Sequence, residues 1–175
     1  NGKGGNGKGL LNELLKMMLG DYAYEAPVSL LTREFRGGAN PEIANINKKR
    51  FVVFKEPDKS ERLFLANVKA LCDNDNINAR QLYKNICKVY LMATLILETN
   101  TLLKFSGKAD EAEMRRFMDL LFESMFTDNE ELLNDKDLKN VYPVNKYYKS
   151  SEFQKAHVCA LFQYILDNAE KEIYN

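Results

Sequence analysis

The residues with the most specific chemistry stand at the start of the chain, Asn1-Gly-Lys-Gly-Gly-Asn-Gly-Lys8-Gly9. Read as G-x-x-x-x-G-K, the pattern runs from Gly2 through Gly7 to Lys8, and an apolar helical stretch follows directly. That spacing suits a Walker A phosphate-binding loop. Gly2, Gly4, Gly5 and Gly7, with Asn6 among them, let the backbone wrap a polyphosphate so that successive N–H groups face its oxygens. The following helix turns its N-terminal dipole toward the same anion, and Lys8 reaches the β- and γ-phosphates. The next position ordinarily carries a Ser or Thr hydroxyl for Mg²⁺. Here it is Gly9, so the metal is held by water and other groups, or the nucleotide site is weakened.

A second candidate is Glu56. It follows Phe51-Val-Val-Phe54, an uninterrupted apolar run bounded by Lys49-Arg50 before it and Lys55 and Pro57 after it. Such a run reads as a buried parallel strand. Ligands of open α/β sheets sit at the carboxyl edge, where a carboxylate binds Mg²⁺ or orients the attacking water. Asn100 closes a second β-rich stretch, Val89 to Leu97, and is placed to hydrogen-bond a γ-phosphate or that water. The plainer alternatives are a solvated strand end for Glu56 and an ordinary turn for Asn100.

The elements that must position these residues are less evenly marked. Lys8 to Leu19 predicts a helix with Leu10, Leu11, Leu14, Leu15 and Met18 on one face and Gly20 as its stop. Asp21 to Asn47 reads as connecting structure: Val28 to Leu31 is a short strand or helical turn, Gly37-Gly38 a break, and Pro41 opens a short helix. Phe64 to Leu71 predicts a helix. Ile77 to Leu97 reads two ways. As a helix it aligns Arg80, Lys84 and Lys88 in a basic stripe. The favoured reading pairs Ile77 to Tyr83 with Ile86 to Glu98 as a hairpin that turns at Lys84-Asn85 and continues as a buried strand. Arg115-Arg116 lies in a charged-then-apolar segment, an acidic linker runs from Asp128 to Asp137, and a last helix spans about Ser151 to Ile173.

At 175 residues the length fits one domain, and 25 basic residues against 25 acidic ones leave no net charge. A nucleic-acid partner therefore needs a local basic patch. Cys72, Cys87 and Cys159 have no C-x-x-C spacing and read as reduced structural thiols, and His157 stands alone. No apolar run reaches membrane-spanning length and no signal peptide is visible, so a soluble intracellular protein is expected, at the viral replication site or in host cytoplasm once the resemblance below is considered. The chain starts inside its main motif without an initiator Met, and the strand that should feed the loop is expected upstream.

In order and type these features resemble superfamily 3 helicases, specifically the poxvirus-type primase–helicase ATPases of large DNA viruses, whose domains also occur in phage and plasmid primases. The resemblance covers about residues 1–127, leaving 128–175 as an acidic linker and C-terminal helical extension. It rests on Gly-Gly-Asn-Gly-Lys8, on Asn40-Pro-Glu-Ile-Ala44 with Lys49-Arg50 and the strand to Pro57, and on Lys69, Asp75, Asn78-Ala-Arg80 and Leu82-Tyr83. Thr94-Leu-Ile-Leu-Glu-Thr-Asn100 and Asp110-Glu-Ala112 through Arg115-Arg116 complete it. Cys72-Asp-Asn-Asp75 departs from the family's Thr-Gly-Gly-Asp, and Gly9 departs as noted. The resemblance implies an AAA+-like α/β P-loop NTPase with a mostly parallel sheet flanked by helices, ATP with Mg²⁺, and a homo-hexameric ring. It also implies a hairpin touching single-stranded DNA. In those terms Glu56 serves metal and water, Asn100 senses the γ-phosphate, and Arg116, or else Arg115, reaches the neighbouring subunit's nucleotide. Lys84 and Lys88 face DNA. Two rivals stay open: an ATPase or nucleotide kinase that does not act on DNA, and a degenerate module that oligomerises on DNA without turnover.

Overall fold

The computed structural model of the chain describes residues 1–2, 4–34, 40–55, 57–58, 60–73, 77–80 and 85–173, with backbone alone at 86, 87 and 170–173. Helix α1 (Lys8–Leu19) starts and stops where its apolar periodicity does: Gly7 precedes it in the left-handed region (φ 87°) and Gly20 ends it. Strand β1 (Ala23–Ala26), α2 (Ser29–Thr32) and α3 (Pro41–Ile46) follow. The Val28–Leu31 stretch thus resolves as a helical turn, and the region read as connecting structure contains a strand.

Strand β2 (Phe51–Lys55) is the centre of a three-stranded parallel sheet, lying between β1 and β6 (Thr94–Glu98). Val52, Val53 and Phe54 are wholly buried, which is why the run has no polar alternation. Ile43, Ala44 and Ile46 of α3, Leu30 and Leu31 of α2, and Val68 and Leu71 of α4 (Leu65–Cys72) join Val52 and Phe54 in the core. Asn67 of α4 is buried yet satisfied: its amide donates to the carbonyls of Leu30 (2.9 Å) and Arg33 (2.6 Å), so it caps the end of α2. A two-stranded parallel pair, β3 (Arg62–Leu63) with β7 (Lys104–Phe105), lies in the same part of the chain.

The hairpin reading holds in its first half. β4 (Ile77–Arg80) and β5 (Ile86–Val89) pair antiparallel, with Asn78 opposite Lys88 and Arg80 opposite Ile86. The expected single strand from Ile86 to Glu98 is instead two, β5 and β6, separated at 90–93. The backbone of Tyr90 explains the break. Its N–H donates to Asn47 Oδ1 (2.9 Å) and its carbonyl accepts from Lys48 N–H (3.1 Å), so its hydrogen bonds go to the end of α3.

Helix α5 (Glu111–Met114) opens on a capping box of Asp110 and Glu113. Strands β8 (Met125–Thr127) and β9 (Val141–Pro143) pair in parallel on either side of α6 (Glu130–Asn134), and α7 (Ser151–Ile173) spans the predicted last helix. The chain divides into two compact units, each discontinuous in sequence. One comprises Asn1–Gly2 and Asp21–Leu121 and holds the central sheet and the hairpin. The other comprises Lys3–Gly20 and Phe122–Asn175, in which α1 packs with α7. His157 of α7 is exposed, stacks on the Phe153 ring (4.1 Å) and is hydrogen-bonded through Nδ1 to the Phe153 carbonyl (2.8 Å), an ordinary helix-surface imidazole.

Candidate nucleotide and nucleic-acid sites

The glycine-rich loop is a shaped turn. Gly5 (φ 77°) and Gly7 (φ 87°) both take the left-handed backbone that disfavours other residues. A side chain at Gly5 would also bring a Cβ within 3.2 Å of the Phe126 carbonyl oxygen, while the Gly5 carbonyl accepts from Phe126 N–H at 2.8 Å. Lys8 and Asn6 are each only 6% exposed. Asn6 Oδ1 accepts from Lys8 Nζ at 3.1 Å and lies 3.4 Å from the Lys8 backbone N–H, and Asn6 Nδ2 donates to the Phe122 carbonyl at 3.2 Å. No acidic residue stands in the first turn of α1. A buried ammonium, a first helical turn with no acidic residue, and two turns that only glycine accommodates easily form a donor set suited to an anion of phosphate type. Gly9 brings no hydroxyl to it. Among the described residues no group of three His, Cys, Asp or Glu side chains could hold a metal ion. Glu56, the carboxylate expected to handle Mg²⁺, lies outside the described residues.

In the other unit the parallel register sets Lys55 opposite Glu98, so β2 and β6 end at the same edge of the sheet. Lys55 is paired with Glu25 of β1 at 3.0 Å. Beyond Glu98 the chain turns at Thr99, a buried residue whose Oγ1 accepts from Thr101 N–H (3.2 Å) and donates to the Thr101 carbonyl (2.5 Å). Asn100 is exposed on that turn, at the carboxyl edge where the sequence put it.

The two arginines differ sharply. Arg116 is forked onto Asp73, with Nε to Oδ1 at 2.8 Å and Nη2 to Oδ2 at 2.5 Å, and Nη1 donates to the Ala112 carbonyl. This bidentate pair holds the Asp73 carboxyl below its ordinary range and raises the guanidinium further. Partial burial, and then the Asp73 charge, push the neighbouring Cys72 thiol up, so it is a poor thiolate at neutral pH. Arg115 is exposed. Asp73 was not singled out from the sequence as Arg116's partner, and no local signal marks it, since the two are 43 residues apart.

On the hairpin, Ala79 and Val89 are buried while Asn78, Arg80 and Lys88 are exposed. Lys88 Nζ lies 5.5 Å from the ring centre of Tyr90, itself half exposed. A strand cation beside an accessible ring just past the strand's end is the kind of surface that tracks a phosphate backbone and stacks a base. Tyr90 escaped the sequence reading, although the two-residue alternation Lys88, Tyr90 was available to find it. Lys84, its predicted companion, lies outside the described residues.

A family model described as "Family of unknown function (DUF5906)" matches residues 1–116. A protein of Acanthamoeba polyphaga mimivirus named "Putative helicase L207/L206" is 30% identical over 172 residues, covering 93% of this chain and 18% of that protein. "Primase D5" of fowlpox virus is 30% identical over 150 residues, covering 83% of this chain and 19% of its own length. The chain therefore spans under a fifth of these relatives. The solved C-terminal region of NrS-1 superposes with a TM-score of 0.54 at 18% identity, over 88% of this chain and 31% of that one, which establishes a shared mixed α/β fold.

Proposed function

The chain belongs to the DUF5906 family, and from that premise we propose that it is the ATPase core of a viral primase–helicase, acting on single-stranded DNA as part of a ring. The relatives named as helicase and primase support nucleic-acid metabolism as the setting. The observation that carries the nucleotide assignment is the loop, where Lys8 is buried at the start of α1 among left-handed glycines. In this reading Gly2, Gly4, Gly5, Asn6, Gly7, Lys8 and Gly9 hold ATP, and Glu56 handles Mg²⁺ and the attacking water. Asn100 senses the γ-phosphate. Arg115 or Arg116 completes a neighbouring subunit's site, and Lys84 and Lys88 touch DNA. The core occupies 1–127 and a helical extension 128–175.

One observation favours a second reading. Gly9 withholds the metal-binding hydroxyl, as a module that binds without turnover would. Titration with a fluorescent ATP analogue tests the shared premise: Lys8→Ala should lose most of the binding, and unaltered binding in a folded Lys8→Ala variant would reject the loop assignment. Glu56→Gln should bind normally and lose hydrolysis, because its group acts on the reaction rather than on ground-state phosphate. Normal hydrolysis in that variant would remove Glu56 from the reading.

A further inference from the structure

The central parallel sheet has two edges, and they differ in charge. Ala23, Phe51 and Thr94 are register partners, so β1, β2 and β6 start level with one another. The residues just before them continue the ladder. Arg50 N–H donates to the Tyr22 carbonyl (2.8 Å), and the Arg50 carbonyl accepts from Thr94 N–H (2.9 Å). The hairpin meets the same edge, because Lys48 N–H donates to the Tyr90 carbonyl (3.1 Å). Lys48, Arg50 and Lys88 are exposed there, with Asp21 as the acidic residue nearby in the chain. Among the described residues none of these three cations has an ion-pair partner. At the opposite edge, by contrast, Lys55 is paired with Glu25. Two accessible rings, Tyr22 (60% exposed) and Tyr90 (50%), share the amino edge with the cations. Lys48 takes a left-handed backbone (φ 61°) that Asn or Gly would adopt more easily.

We infer that single-stranded DNA runs from the hairpin onto this amino edge, with Lys48, Arg50 and Lys88 on its phosphates and Tyr22 and Tyr90 stacked on its bases. The inference rests on the single-stranded-DNA reading and extends it to residues outside the hairpin. Charge supports it. A chain with no net charge attracts a polyanion only through a local excess of cations, and uncompensated ammonium and guanidinium groups supply one. The rings favour a single strand over a duplex. Unpaired bases offer faces on which an aromatic side chain can stack, whereas a duplex keeps those faces against each other.

The test is fluorescence anisotropy of a labelled oligothymidylate bound to the intact protein across a range of salt, with every variant checked by thermal melting. Lys48→Gln and Arg50→Gln should each flatten the slope of log affinity against log salt by roughly 0.7, and the pair together by roughly twice that. Lys108→Gln, the loss of an exposed charge elsewhere in the same unit, should leave the slope as it is. Tyr22→Ala should keep the wild-type slope and weaken binding by about five- to 150-fold, the size of one stacked base. A wild-type slope in the folded Lys48→Gln/Arg50→Gln double variant overturns the inference, as does equal flattening by Lys108→Gln. Should Lys48→Gln fail to fold, Lys48→Asn suits the left-handed backbone and carries the same expected slope and the same overturning result. Lys88→Ala in the same assay separates the two readings: if it alone flattens the slope, the hairpin contacts DNA and the amino edge does not. If the intact protein binds no oligothymidylate, the single-stranded-DNA reading itself fails, and the inference with it.

Discussion

Arg115 and Arg116 are neighbours in sequence with different prospects. Arg116 would have to leave both oxygens of Asp73 to reach another subunit, whereas Arg115 is already exposed. Arg116→Ala and Asp73→Ala should each lower the melting temperature, and the double variant should fall by less than the sum because the two share one interaction. The Asp73 carboxyl is held below its ordinary value, so its contribution is complete above about pH 4 and is lost as pH falls through the lowered folded value. The melting difference between wild type and Asp73→Asn should therefore be largest near neutrality and shrink under acid. A difference that grows under acid would reverse the sign of this assignment. If Arg115 is the residue that stabilises the transferred phosphoryl group, Arg115→Ala should keep its melting temperature and nucleotide affinity while losing about 10³-fold or more in turnover. Mixing it with Lys8→Ala, once subunit exchange is verified, should restore part of that turnover. The glycine turns before α1 were readable because their spacing is local. The Asp73–Arg116 fork was not, because nothing in either neighbourhood specifies a partner 43 residues away.

Among the elements, β2 was readable to within one residue because burial on both faces leaves an uninterrupted apolar run. α1 and α7 were readable from apolar spacing and from glycine or turn signals at their ends. β1 was missed: it is an edge strand of Ala-Tyr-Glu-Ala, whose Glu25 faces solvent and the Lys55 ammonium. The split between β5 and β6 was missed because Tyr90 to Ala93 contains no Gly or Pro. Hydrogen bonds to Asn47 and Lys48, not local preference, end β5 there. Phe54→Ala in β2 should cost about 3–5 kcal/mol by chemical denaturation, as expected for emptying a fully buried aromatic site. On the hairpin, Lys88 and Tyr90 separate by salt. Lys88→Ala should flatten the slope of log affinity for single-stranded DNA against log salt by roughly 0.7. Tyr90→Ala should leave that slope unchanged yet weaken binding by about 1–3 kcal/mol, the size of one stacked base. Equal slopes in wild type and Lys88→Ala would make Lys88 a solvated surface lysine.

At the scale of the molecule, family membership and a shared α/β fold are established, and the order of loop, buried strand, hairpin and second strand that suggested them was present in the sequence. The grouping of α1 with residues 122–175 was not, because it depends on packing between segments more than a hundred residues apart. Among the described residues no helix is long and apolar enough to cross a membrane. The proposed role of the chain is to turn nucleotide hydrolysis to work on DNA. It is tested most directly by phosphate release from ATP, measured on the intact protein with and without single-stranded DNA, beside Lys8→Ala. Release should rise when DNA is added and be abolished in Lys8→Ala. Release that ignores DNA would point to an ATPase with another substrate, and DNA binding without any release would contradict the claim outright.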